Sequence, residues 1–439
     1  MNLDTEHKKQ VDFLLDRLRK KSVNVRIKYQ YYNAENSYVD FGISVPVKMM
    51  NSKPGIGWAS RAVNTLSDRV VFDGFANDTF RINELFDEIN AKRVLNKAKK
   101  DAHIAGVSFV AISETPNGVA LIPFTASEAT GVIDDNTGLL SYGLAVLSWT
   151  GDDALAQSSV SEPKDYVVFT PEATTIYKNK KIDSITKNPT GRTMLHALTH
   201  GATASQPLGR SRITKTVRRI VQEVARVKRR YEIAGEFYST PQRYVLGTEQ
   251  DFTQEQKNKL DSTIGKAWVF SKDDDGDKPE IGQLAQMSIN QFEDNKKGLA
   301  RDFCAETALT LRNLGYETAN PTSAESLSAM SDDLLLEARA SQDEMGEQIK
   351  QIAISIRLTL NKSDKVPEDL ENIKAAWRPI FQVDVGAAGD AVYKLIQAMP
   401  ELAGSVQIYQ MLGMGVREAE SLKAIRDKAS TNNFMTGEV

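Results

Sequence analysis

Cysteine is nearly absent: Cys304 is the only one in 439 residues. A lone thiol excludes an internal disulfide framework and suits a reducing compartment. It lies on a helical apolar stripe and reads as a core residue rather than a nucleophile. Long apolar runs are also missing, and none approaches the ~20 residues that span a bilayer. The stretch Met1–Lys21 is charged and has no apolar h-region, so no secretory signal is expected. Charge of one sign is lacking too, since 55 Lys and Arg face 58 Asp and Glu for a net charge of -3. That balance excludes a protein that coats nucleic acid through bulk positive charge. A hydrophobic content of 41% supports real cores, and the length implies more than one domain.

Catalytic motifs are wanting as well. Gly55-Ile56-Gly57 follows Pro54 rather than a strand, and Ser60 stands where a phosphate loop needs its third glycine, so a turn before a helix is expected. His196 and His200 have a spacing that can chelate a metal on a helix, but no third ligand accompanies them and a structural role is favoured. Asp273, Asp275 and Asp277 echo a calcium loop with its glycine misplaced, which reads as a solvated turn. Ser108 sits in an apolar strand without the glycine of a nucleophile elbow. No enzyme is expected.

What is present is positive charge concentrated in one place. Ile213, Val217, Ile220, Val224, Val227, Tyr231 and Ala234 recur at steps of four and three, the stripe of one long helix. Around it stand Arg210, Arg212, Lys215, Arg218, Arg219, Arg226, Lys228, Arg229 and Arg230, opposed only by Glu223 before Glu232. Such a helix needs an acidic partner surface or a polyanion.

On either side the pattern is mixed. Residues 1–30, 58–71 and 85–106 read as helices. Residues 107–205 read as β-rich, with Asn117-Gly118 between two apolar runs as a hairpin signal. Strand-like pieces follow over Leu140–Leu147, Tyr166–Thr170 and Thr174–Lys178, and 180–208 reads as an irregular connection. After the basic helix, 241–288 forms an insert with a strand at Arg243–Leu246, a helix at Thr253–Ile264 and a strand at Ala267–Phe270. A second helix runs from about Ile289 to Leu311. A third runs from Ser323 to about Leu360, capped by the acceptors of Ser323–Ser326 after Pro321. Trp377–Val385 reads as a strand, and Gly386–Ser430 as helices broken near Pro400 and Gly413–Gly415, with a frayed end.

Several segments are familiar together. Leu208-Gly209-Arg210-Ser211-Arg212-Ile213 precedes the long helix, and Ala234-Gly235-Glu236-Phe237 and Pro241-Gln242-Arg243-Tyr244-Val245-Leu246-Gly247 follow. Tyr31-Tyr32-Asn33-Ala34-Glu35, Asn320-Pro321-Thr322-Ser323-Ala324-Glu325-Ser326-Leu327, Trp377 and Asp390-Ala391-Val392-Tyr393-Lys394-Leu395 complete an ordered set. The set resembles the portal proteins of long-tailed double-stranded DNA bacteriophages. The resemblance implies an α+β, mostly helical subunit. Its wing would cover 1–207, with a helical start and a β-rich second half. A first stem helix would cover 208–240, a clip 241–288, a second stem helix 289–312, and a tunnel loop 313–322. A long helix returning to the wing would cover 323–385, and a crown 386–439.

The resemblance further implies a homo-oligomeric ring, dodecameric in the family, at one capsid vertex of a virion assembled in the host cytoplasm. Such a ring is a channel for packaging and ejection of double-stranded DNA, held without sequence specificity. Its partners would be the terminase large subunit, head–tail connector or adaptor proteins, and capsid and scaffold proteins, with no membrane, cofactor or metal. Lys297, Arg301, Arg312, Leu314 and Tyr316 are the candidates to face the DNA. Arg218, Arg219, Arg226, Arg229 and Arg230 are the candidates for stem and subunit contacts, and Gln242, Arg243, Tyr244 and Trp268 for the clip surface. The competing reading is a monomer that lays the basic helix 210–230 into a nucleic-acid groove.

Overall fold

A computed structural model describes residues 5–38, 54–116, 118–150, 162–238, 243–246, 280–283, 288–316, 332–380 and 385–436. The chain is α+β and divides into two compact units, one of Met1–Asn36, Gly57–Arg218 and Cys304–Val439, the other of Ser37–Ile56 and Arg219–Phe303.

In the first unit, helix α1 (Thr5–Tyr32) is followed by α2 (Trp58–Ser67), strand β1 (Phe72–Ala76), α3 (Ile82–Glu88) and α4 (Ala91–Ala105). Then come β2 (Val107–Thr115) and β3 (Gly118–Thr125), the expected hairpin, closed by the pair Thr115–Gly118. The run Val107–Ile112 is buried throughout. An almost wholly apolar run suits a strand covered on both faces, and β2 is the middle strand of a sheet between β3 and β9 (Leu195–Thr199). A five-stranded sheet has the order β4-β5-β6-β7-β8. Its strands are β4 (Ala129–Ile133), β5 (Leu140–Trp149), β6 (Pro163–Phe169), β7 (Ala173–Lys178) and β8 (Lys181–Lys187), and β9 is Leu195–Thr199.

Apolar clusters hold this unit, two of them among the described residues. In one, Phe75, Phe86, Leu95, Phe109, Leu195 and Leu198 pack with Ile349, Ile352 and Ile356 of the long helix α7 (Asp332–Asn361). The rings of Phe72, Phe75 and Phe86 meet mostly edge to face, and Trp377 joins Phe72 at 5.7 Å between centroids. In the other, Val11, Leu14 and Leu18 of α1 cover Leu144, Val168 and the stacked pair Tyr166–Tyr177. Short helix α8 (Glu368–Glu371) and β12 (Lys374–Trp377) follow α7, and β12 pairs antiparallel with β1. The chain ends in α9 (Val385–Ala398), a 3₁₀ turn at Pro400–Leu402, α10 (Val406–Met411) and α11 (Val416–Thr436).

The basic helix α5 is Lys215–Tyr238. In the second unit, β10 (Arg243–Leu246) pairs antiparallel with β11 (Glu280–Gln283), and helix α6 (Asn290–Thr307) begins there. No helix is long and apolar enough to cross a membrane among the described residues.

Several expectations need correction. The stretch 180–208 is not irregular, because it holds β8 and β9. β8 is an edge strand exposed at every position, so Lys-Ile-Asp-Ser-Ile-Thr-Lys has no buried face to mark it. Strand β4 was not foreseen. α2 stops at Ser67 rather than Val71, where buried Lys99 donates to the Ser67 carbonyl at 2.8 Å and to that of Val70. Leu85–Gly106 is mostly helical as expected, in two helices separated at Asn90, which has a left-handed backbone (φ 54°). The strand placed at Trp377–Val385 instead ends at Trp377. Arg378 N–H adds one more bond to Val71, and Pro379 has no N–H to continue the ladder. α6 ends at Thr307, before Leu311, and α11 continues to Thr436 where fraying was expected. The start of the third helix at Ser323, the helix Thr253–Ile264, the strand Ala267–Phe270 and the Asp273–Asp277 turn lie outside the described residues.

Candidate functional site

The approach to α5 is built by a crossing of two backbones. Gly106, at the end of α4, and Gly209 both have left-handed φ, +102° and +72°. A Cβ on Gly209 would lie 2.7 Å from the His200 carbonyl and against that of Gly106. Only glycine allows this approach. Arg210 N–H donates to His200 O at 2.7 Å and Arg212 N–H to His103 O at 3.0 Å, stitching 209–212 between the end of β9 and the end of α4.

This corrects the helix start. Residues 208–214 are not helical, and Arg210 and Arg212 are not on the basic helix. Arg212 is buried, and its guanidinium fork is used on three sides. Nε donates to Ala62 O of α2 at 2.7 Å, Nη2 to Thr307 O at the end of α6 at 2.6 Å, and Nη1 pairs with Glu337 of α7. One planar cation thus ties three helices at the foot of α5. Thr214 Oγ1 adds a 2.7 Å bond to Glu306 of α6.

Two histidines stand beside this clamp. His103 and His200 meet edge to face at 4.7 Å, and His103 Nε2 lies 3.0 Å from Ser341 Oγ. Burial holds His103 well below the ordinary histidine range, with His200, Lys99 and Arg212 adding to it. Burial and then Arg212 push His200 down to about 4, and burial and then Arg192 push His196 down to about 3. His196 lies in a strand, so it and His200 are not a pair on one helix face. Among the described residues no cluster of three His, Cys, Asp or Glu is arranged to hold a metal.

Along α5 the buried face is wider than the expected stripe. Val217, Val221, Val224 and Ala225 are essentially inaccessible, and Ile220, Val227 and Ala234 are buried. Tyr231 departs from the expectation: it is 38% exposed and meets Phe292 edge to face in the second unit. The arginines separate into kinds. Arg219 is exposed and pairs with Glu223 at 3.1 Å, and Arg226, half-buried, approaches the same carboxylate at 3.9 Å. Arg229 is buried and Arg230 exposed. Arg218, in the first unit, is half-buried, and its Nε has no hydrogen-bond partner among the described residues. The run 210–230 is therefore not one uniformly exposed basic rod.

On α6, Lys297 and Arg301 are exposed one turn apart. Cys304, expected in the core, is only half-buried, and burial pushes its thiol up to about 11, away from nucleophilic reactivity. After α6, Thr310 and Asn313 form a reciprocal cap on a 3₁₀ turn at Leu311–Leu314, which Gly315 closes with φ +85°. Arg61 Nε donates to Asn313 O at 3.0 Å, fastening the turn. Arg312 projects into solvent while Leu314 and Tyr316 are half-buried. Arg243 and Tyr244 lie in β10, opposite Gln283 and Gly282. Gln242 and Trp268 fall outside the described residues. Ser108, weighed as a nucleophile, is buried with its hydroxyl on Ala98 O.

Glu337, Thr307 and His103 escaped sequence reasoning. They come from three helices far apart in the chain, and no local spacing announces them.

No protein-family model matches the chain. Among curated proteins, the portal protein of Mycobacterium phage D29 is 21% identical over 431 residues, covering 94% of this chain and 87% of that protein. The portal protein of Mycobacterium phage L5 is 21% identical over 417 residues, covering 90% and 83%. Among solved structures, a chain in the neck of a native GTA particle computed with C12 symmetry aligns with a TM-score of 0.48 and 12% identity, over 85% of this chain and 95% of that one. The chain is thus similar, over nearly its whole length, to the portal proteins of tailed phages that infect mycobacteria.

Proposed function

We propose that this protein is the subunit of a phage portal ring. The observation that carries the reading is the end-to-end likeness to two curated portal proteins, which leaves little of either sequence unaligned. The chain order supports it: a long helix α5, a β-ladder β10–β11, then a second long helix α6. In this reading α5 and α6 are the stem and 241–288 the clip. The turn after α6 opens the tunnel loop, α1–β9 and α7–β12 make the wing, and α9–α11 the crown.

The ring is dodecameric and sits at one capsid vertex of the virion. A ring repeats each charge around its axis, so one exposed cation per subunit becomes a belt that holds phosphates without reading bases. Lys297, Arg301 and Arg312 are exposed and suit that role. Leu314 and Tyr316, half-buried in a fastened turn, bear on the duplex as a firm edge rather than a free loop. Arg219 and Arg230 serve contacts between subunits. The clip, with Arg243 and Tyr244, receives the terminase large subunit during packaging and connector proteins afterwards. DNA passes inward during packaging and outward during ejection, and the motor supplies the work.

The mass of the purified protein, with negative-stain images of the same fraction, tests the reading. A closed ring with a central hole is expected. A monomer at every concentration that binds DNA with a steep salt dependence would replace it by the groove-binding reading. Deleting 250–285 should leave the first unit folded and abolish terminase docking, and normal packaging by that variant would overturn the clip assignment.

A further inference from the structure

Arg61 of α2 is exposed, yet its guanidinium is held by a backbone carbonyl rather than by a carboxylate. Nε donates to Asn313 O at 3.0 Å, across 252 residues of sequence. Nη1 and Nη2 have no hydrogen-bond or ion-pair partner among the described residues. A planar guanidinium fixed at Nε keeps the edge between its two Nη groups open and already oriented. That edge matches two oxygens of a phosphate.

The turn that Arg61 holds supplies a second cation. Arg312 immediately precedes Asn313, is exposed, and forms no ion pair among the described residues. The turn is firm. Thr310 and Asn313 cap each other, and Tyr316 N–H returns to Leu311 O at 3.1 Å. Arg212 links Ala62 O, next to Arg61, to Thr307 O. Consecutive residues of α2 thus fasten the same segment at two points, and all of these residues lie in the first unit. The acids around the foot are engaged elsewhere. Glu337 pairs with Arg212, Glu306 accepts from Thr214 Oγ1, and Asp68 is the carboxylate that Arg69 feels. Arg69 also feels Arg61 and Arg212 as like charges, so the neighbourhood of Arg61 is positive.

We propose that Arg61 and Arg312 together grip one phosphate of a nucleic-acid backbone, Arg61 through its Nη1–Nη2 edge and Arg312 through its own fork. The sequence pointed to Arg312 but not to Arg61, which stands on a helix of the wing segment. The carbonyl anchor makes Arg61 more than a solvated surface charge, because its fork is ordered before a ligand arrives. Such a grip reads no base, so a duplex can slip from one phosphate to the next. The inference rests on the portal reading for bringing DNA to this turn, and it adds a contact from α2.

The test measures binding of a short duplex of arbitrary sequence to the full-length chain across a salt series. The variants are Arg61→Gln, Arg312→Gln, the two combined, and Lys187→Gln as a control on the exposed strand β8. Arg61→Gln should weaken binding about three- to tenfold and lower the salt slope as Arg312→Gln does. The combined variant should lose less than the product of the single losses, since both remove the same contact. Arg61→Lys keeps the charge but cannot hold the Asn313 carbonyl and a phosphate at once, so it should recover the slope more than the affinity. Circular dichroism melts separate a lost contact from a lost fold. Unchanged binding by Arg61→Gln, a loss no greater than that of Lys187→Gln, or fully multiplicative losses in the combined variant would overturn the grip. If inorganic phosphate raises the melting temperature of the wild type but not of Arg61→Gln, while duplex binding ignores Arg61, the site takes free phosphate and the nucleic-acid assignment falls. Rings that bind the duplex equally well without Arg61 leave the portal reading standing. A monomer whose duplex binding depends on Arg61 keeps the grip and overturns the ring.

Discussion

Arg212 and Arg219 lie within one basic run and do opposite things. Arg212 is buried before the helix starts, with its fork spent on two carbonyls and Glu337. Arg219 is one turn inside the helix, its side chain 82% exposed, and among the described residues its ion-pair partner is Glu223. The first holds the foot of α5 together; the second is available to something outside the chain. A buried guanidinium must be fully partnered because its desolvation cost is large, whereas an exposed one is screened and contributes little to stability. Positive charge in a sequence thus divides by burial into structure and surface.

That contrast can be broken by substitution. Arg212→Met should cost about 3–5 kcal/mol, since it removes a buried guanidinium and strands two carbonyls and the half-buried Glu337 carboxylate. Urea denaturation measures it, and a loss below 1 kcal/mol would remove the clamp from the account. Gly209→Ala should cost about 2–3 kcal/mol through its left-handed backbone and the His200 carbonyl. A fall in the melting temperature without change in secondary-structure content is the expected sign.

Acid sharpens the comparison further. His196 and His200 have folded-state values near 3 and 4, below the ordinary 6.5, so the unfolded chain takes up protons first. Stability therefore falls as pH drops below 6.5, by up to about 1.4 kcal/mol per pH unit for each histidine, and the slope ends once the folded histidines protonate. His196→Gln should flatten a pH series of denaturation midpoints in that window. Arg219→Ala should change stability by less than about 0.5 kcal/mol. In the proposed portal reading its effect belongs in subunit assembly, and a large loss of stability would place Arg219 with Arg212 after all.

How much was legible follows from where each signal lies. The hairpin β2–β3 was plain because a continuous apolar run and Asn117-Gly118 are local. The stripe of α5 was plain for the same reason, apart from Ile213, which precedes the helix, and Tyr231, whose ring packs on Phe292 while staying partly in solvent. β8 was hidden because an edge strand with no buried face has no alternation to read. The extra turn assigned ahead of α5 came from reading Arg210 and Arg212 as helix surface. Their backbones are instead held by His200 and His103, residues of other elements.

The sequence alone therefore determined the α+β class, the presence of long helices, the lack of an internal disulfide and the local concentration of positive charge. Each depends on neighbours a few residues apart. It also carried the family likeness. Only the tertiary structure decided which arginines are spent inside and that Gly106 and Gly209 cross. Burial and partnership are properties of residues far apart in the chain, and only folding brings them within a few ångströms.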